Sequence, residues 1–79
     1  SPKLSYHEVR ELAALPEKID SLECEQTLIN QQLSDVTLYK NNPEKIKVLQ
    51  TRLTEIEAQL TQLFLRWEEL ETKQSAAKM

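Results

Sequence analysis

The clearest pattern in the chain lies in its second half. Ile46, Leu49, Leu53, Ile56, Leu60, Leu63, Trp67 and Leu70 follow one another at intervals of 3, 4, 3, 4, 3, 4 and 3. An apolar position every three or four residues, with Glu, Gln, Thr and Lys filling most of the gaps, marks one side of a helix that packs on a neighbouring helix. Just before this run stands Asn42, a residue type whose side chain can cap a helix start. Pro43 suits the first helical position, and Glu44 complements the positive end of the helix dipole. The pattern predicts a helix from about Pro43 to about Lys73, roughly 45 Å long at 1.5 Å per residue.

The first half carries a matching seam: Leu12, Leu15, Ile19, Leu22, Gln26, Ile29 and Leu33. Pro16 interrupts it. An interior proline removes a backbone hydrogen bond, whereas at a helix start it costs nothing. Two helices are therefore expected, about 6–14 and 16–34, with Ser5 and Glu8 forming a capping box for the first. Residues 35–42 make the connection, long enough for an antiparallel return. The fold class is all-α: an antiparallel two-helix coiled-coil hairpin over residues 5–73, with a short N-terminal helical extension packed on its open end. Residues 1–4 read as a linker or cloning remnant and 74–79 as a disordered tail. Tyr6 and Val9 are the expected cover for Trp67 and Leu70, and Leu38 or Tyr39 for Leu33.

A connection centred near residues 38 and 39 sets the facing pairs. The preferred register pairs seam residues whose numbers sum to 75: Ile29 with Ile46, Leu22 with Leu53, Ile19 with Ile56, Leu15 with Leu60 and Leu12 with Leu63. It brings Glu25 near Arg52 and Glu11 near Arg66. The competing register, with sums of 82, sets Lys18 against Arg66 and Glu23 against Glu57, although it aligns Leu33 with Leu49.

Composition agrees with long helices. The 79 residues include three Pro and no Gly, which argues against a sandwich or barrel with its glycine-bearing turns. A chain of this size buries little area and reads as part of something longer. Without Gly there is no phosphate-cradling loop for ATP. The single Cys24, at an outward position, excludes an internal disulfide. Together with the lack of a visible secretory signal, this suggests a cytoplasmic setting. Leu63-Phe64-Leu65 is too short an apolar run to span a membrane, and the net charge of −3 disfavours a membrane-surface helix. His7 has no second histidine to join it at a metal, and Glu68, Glu69 and Glu71 have no concave pocket in which to act as catalytic carboxylates. No catalytic, metal or cofactor residues are expected. Gln26 at a seam position reads as a register-specifying polar group, and Trp67 as core.

Charge is unevenly placed. Residues 40–52 hold four cations, Lys40, Lys45, Lys47 and Arg52, against one anion, Glu44. The flanks are acidic, with net −4 over residues 16–35 and −3 over 55–73. Lys45 and Lys47 fall in a first helical turn, where the dipole disfavours cations, so local stability does not account for them. Helix-start amides bind phosphate, and Tyr39, Asn41 and Asn42 add a stacking face and hydrogen-bonding groups. The candidate nucleic-acid contact is thus Lys40, Asn41, Asn42, Lys45, Lys47 and Arg52, approached end-on, touching phosphates with little base readout. Neutralising three or four phosphates would make affinity fall roughly 50- to 200-fold between 50 and 200 mM salt. The N-terminal face with Lys3, His7 and Arg10 is the next candidate.

The stretches "KLSYHEVRELAALPEKIDSLE", "LYKNNPEKI" with its leucine heptads, and "RWEELE" resemble the C-terminal domain of the Uup type of ABC-F ATPase, from about Lys3 to Glu71. The two outer motifs are fairly specific and the heptads are not. Val36 departs from the pattern, since related sequences often place Pro directly after the Asp at this point. The resemblance implies a coiled-coil hairpin tethered behind two tandem ATP-binding cassettes in a soluble protein without a membrane domain. It also implies DNA binding through this domain and ribosome contact for ABC-F proteins generally. The expected function is a non-catalytic nucleic-acid-binding domain of such an ATPase, with DNA or ribosomal RNA as partner. The competing expectation is a protein-interaction or dimerisation coil that self-associates through Phe64, Leu65 and Leu28.

Overall fold

The structure, a computed structural model, describes residues 4–77. Residues 1–3 of the expected 1–4 linker, Lys3 among them, and the last two residues lie outside that range. The described chain forms a rod of 58 × 18 × 15 Å from three helices, α1 (Tyr6–Leu33), α2 (Val36–Asn41) and α3 (Pro43–Ala77). α1 and α3 are antiparallel and pack along their length, and α2 turns the chain between them.

α1 begins where its local sequence says it should. The Glu8 amide donates to Ser5 Oγ at 3.2 Å, and the Ser5 amide donates to Glu8 Oε1 at 2.9 Å, a complete capping box. The helix then runs through Pro16 without a break, which corrects the expected division into helices 6–14 and 16–34. The N-terminal extension is therefore the first turns of α1 itself. The φ of proline is already helical, and the ring costs one hydrogen bond, that to the Leu12 carbonyl. The seam stays in phase across it: Leu15 and Ile19 on either side are both buried, while Pro16 faces solvent. Packing on both sides holds the helix together where local propensity would have ended it.

The connection also differs from expectation. Residues 35–42 are not a loop, since six of them form α2. Asp35 starts it by accepting from the Thr37 amide at 2.9 Å, and Val36 occupies the first helical position. A proline would also fit that position, because its missing N–H is not needed there. Asn42 ends α2 and starts α3 in one residue. Its amide donates to the Leu38 carbonyl at 2.9 Å, and its Oδ1 accepts from the Lys45 amide at 3.2 Å. α3 continues to Ala77, so residues 74–77 are helical and not the start of a disordered tail.

The core is the doubled seam. Ile19, Ile29, Ile56 and Leu60 form its buried centre, with Leu22, Leu33, Leu49, Leu53, Leu63 and Trp67 packed around them. Glu25 pairs with Arg52 and Glu11 with Arg66, the two contacts of the preferred register. The alternative register would have set Arg66 against Lys18. Gln26 is half-buried in the seam and Cys24 is exposed.

The open end is closed differently from the sequence expectation. Tyr6 is 77% exposed and Val9 51%, so neither covers the seam. Leu70 is nonetheless fully buried. It lies between Arg66 and Lys73, whose partners Glu11 and Glu8 bracket it from α1. At the tip, Leu38 is half-buried while Tyr39 points outward.

Candidate nucleic-acid interface at the hairpin tip

The α2–α3 junction gathers most of the predicted site. Lys40 stands in the last turn of α2, Asn41 ends that helix, Asn42 caps α3, and Lys45 and Lys47 lie in its opening turns. All five side chains are exposed. Among the described residues, Lys40, Lys45 and Lys47 make no ion pair. Val36, Tyr39 and Val48, 71%, 49% and 67% exposed, interleave with them, so the tip mixes cations with apolar and aromatic surface. Tyr39 had been visible in the sequence as a stacking face. Val36 and Val48 had not, although their place off the seam was the available signal.

Arg52 does not join this group. It lies seven residues beyond Lys45, about 10 Å along the helix, and its guanidinium is committed to the coil. Nε donates to Glu25 Oε2 at 2.6 Å and the Nη2 group to Oε1 at 2.8 Å, with Glu55 at 3.8 Å on the other side. The two-pronged hydrogen bond holds the Glu25 carboxyl below the usual carboxylate range and raises the Arg52 guanidinium. A cation held this way carries little free charge to a phosphate.

The backbone contributes less than a bare helix start would. Pro43 has no N–H, and the Lys45 amide is turned back on Asn42, its Oδ1 at 3.2 Å and its carbonyl at 3.1 Å. The side-chain ammonium groups therefore carry the anion-binding potential of the tip.

The opposite end behaves as a locked structural region. Arg66 binds Glu11 through two hydrogen bonds of 2.7 and 2.9 Å and Glu69 through one of 2.7 Å. Lys73 Nζ reaches both Glu8 carboxylate oxygens, at 2.9 and 3.0 Å. The Ser5 amide and then Lys73 hold the Glu8 carboxyl down at about 2, and Arg66 lowers that of Glu11. Of the alternative N-terminal face, Arg10 sits 5.9 Å from the centre of the Tyr6 ring and His7 is exposed. Lys3 lies outside the described residues. Leu28, expected to share an apolar flank with Phe64 and Leu65, is separated from them. Exposed on α1, it stands level with Leu49 in the observed register, about 22 Å from Phe64 along the axis. No group of three His, Cys, Asp or Glu residues among the described residues is placed to hold a metal. None of the described helices is long and apolar enough to cross a membrane.

A family model described as the ABC transporter C-terminal domain matches residues 3–72, and the chain belongs to that family. Its curated relatives include the "ATP-binding protein Uup-like" of Haemophilus influenzae, 38% identical over 98% of this chain and 17% of the relative. The "ATP-binding protein Uup" of the same organism is 37% identical over 95% of this chain and 12% of the relative. The protein of that name in Escherichia coli is 34% identical over 90% and 11%. These matches make the chain a C-terminal domain of the Uup type, spanning less than a fifth of its relatives' length. No solved structure matches it.

Proposed function

We propose that this domain is a non-catalytic accessory of a tandem-cassette ATPase and lays its tip against the phosphate backbone of DNA or ribosomal RNA in the cytoplasm. One contrast supports the reading. Along the coil, Arg52, Arg66 and Lys73 are held by carboxylates of the neighbouring helix, with Arg10 and Lys18 the scattered cations that have no ion pair among the described residues. At the tip, Lys40, Lys45 and Lys47 are exposed and have no such partner among the described residues. Internal stability explains the first set of cations and leaves the second available to a polyanion.

The acidic flanks shape the approach. A duplex lying alongside the rod would meet Glu on both helices and Asp20 on α1, whereas one touching the end meets three lysines, Tyr39 and the Asn41 side chain. ATP turnover belongs to the cassettes of the parent chain, because a sequence without Gly cannot form their phosphate loop.

With Arg52 withdrawn, three phosphates are within the reach of the tip cations. Affinity for duplex DNA is then expected to fall about 40-fold between 50 and 200 mM salt. Binding of DNA, RNA and ribosomes measured side by side against salt tests this and ranks the three polymers. A Lys45→Glu/Lys47→Glu variant should lose most of both affinity and salt slope. Unaltered affinity and slope in that variant would remove the tip from the mechanism.

A further inference from the structure

The outer face of α3 near the open end carries a feature that the tip does not use. Phe64, Trp67, Glu68 and Glu71 stand at positions i, i+3, i+4 and i+7 and line one shallow groove. Phe64 is 44% exposed and Trp67 half-buried, so one edge of the groove is aromatic. The Trp67 indole N–H donates to Glu71 Oε1 at 2.9 Å, which fixes the ring and the carboxylate in one orientation. Glu68 is exposed and has no ion pair among the described residues. A second depression, lined by Leu65, Glu68, Glu69 and Thr72, adjoins it. Leu65 is 57% exposed.

Seam packing accounts for the inner edge of Trp67 but not for an exposed Phe64 and Leu65 with carboxylates set among them. The pairing of ring faces with anions selects a particular occupant. A cation over an aromatic face gains attraction from the ring, and an arginine can do this while hydrogen-bonding a carboxylate at its edge. A nucleic acid is the wrong partner for this end, because its phosphates would meet Glu68, Glu69 and Glu71. A second copy is also disfavoured. Its cationic tip is the complementary surface, and tip-to-open-end contact is head-to-tail, which makes filaments unless it closes on itself.

We infer that the Phe64–Trp67–Glu68–Glu71 groove docks a basic, arginine-containing peptide segment of a protein partner. An arginine side chain would lie against the Trp67 and Phe64 rings and pair with Glu68. Lys47 and Trp67 are separated by twenty helical residues, about 30 Å. The groove therefore remains open while the tip is occupied, and the hairpin joins a polyanion at one end to a basic protein segment at the other. This docking does not depend on what the tip binds.

Trp67 is the single tryptophan of the chain, so its emission reports on the groove and not on the tip. The probe is a short peptide of alternating glycine and arginine, titrated into the whole chain. The expected result is a saturable change in emission that weakens with added salt and is absent with the matching glycine–glutamate peptide. Phe64→Ala combined with Glu68→Lys should weaken binding roughly tenfold or more, since it removes a ring face and reverses the charge. Both residues are exposed, and circular dichroism would confirm that the variant stays folded. Glu68→Gln should give a smaller loss, and Lys45→Glu/Lys47→Glu none. The inference is overturned by any of four results: no saturable change, equal affinity in the double variant, an equal response to the anionic peptide, or the same emission change from an oligonucleotide. It is also overturned if the emission shifts with protein concentration alone, which would make a second copy the occupant.

Discussion

Lys73 Nζ lies 2.9 and 3.0 Å from the two carboxylate oxygens of Glu8, joining residues 65 positions apart in sequence. The same carboxylate accepts the Ser5 amide that begins α1. One glutamate thus caps the first helix and clamps the end of the last, and beneath it Leu70 is fully buried.

That double role predicts a local effect of Glu8→Gln. The neutral amide can still reach back toward Ser5 but cannot pair as an ion with Lys73. Amide exchange should speed up over Tyr6–Arg10 and near Lys73, while protection around Ile46 and Leu49 stays as it was. A uniform change along the rod would show instead that the hairpin opens as a single unit.

Acid should loosen the cross-helix ion pairs, most of all at the same end. The Glu8 carboxyl titrates at about 2 in the folded chain, and those of Glu11 and Glu25 are also held below the usual range. A carboxyl lowered by folding binds more protons in the unfolded chain, so stability rises with pH between the two values. The contribution is complete above the ordinary glutamate range and disappears as pH falls from about 4.5 toward 2. Thermal melts followed by circular dichroism should show a falling midpoint across that window. In Glu8→Gln the fall should be shallower.

Core and surface positions should separate sharply. Ile56 is fully buried, and truncating such a side chain to Ala costs about 2–5 kcal/mol. Val9→Ala removes a side chain that is half-exposed, and it should cost under about 0.5 kcal/mol. Urea titration of both variants checks the assignment. A large loss at Val9 would restore it as the cover for Trp67 that its spacing suggested.

Pro16 is a built-in weakness of α1. Replacing it with Ala restores the hydrogen bond to the Leu12 carbonyl without touching the seam, and it should stabilise the hairpin by about 1–3 kcal/mol. A loss of stability would mean that the proline ring shapes the path by which the first turns reach α3.

Arg52→Gln tests the proposed division between cations spent on the coil and cations left to the tip. Its charge is spent on Glu25, so the variant should be less stable yet keep the salt slope of nucleic-acid binding. A slope reduced by about one would return Arg52 to the tip surface.

Much of this molecule was legible in residue order. The 3–4 spacing of Ile46 to Leu70, the Ser5–Glu8 capping box, Asn42 with Pro43, and the register pairing Glu25 with Arg52 all rest on local geometry or on short-range matching of two seams. Two of the departures from the sequence signal have separate physical causes. Pro16 looked like a helix end because propensity is local, yet Leu15 and Ile19 are held on α3 together and keep the helix whole. Residues 36–41 looked like a loop because six residues carry little periodicity, yet Asp35 and Asn42 close them into a helical turn. The positive tip was visible as composition, but its membership was not. Only the folded hairpin places Glu25 against Arg52 and leaves Lys40, Lys45 and Lys47 unpaired, because a charge is free or spent according to what stands opposite it in space.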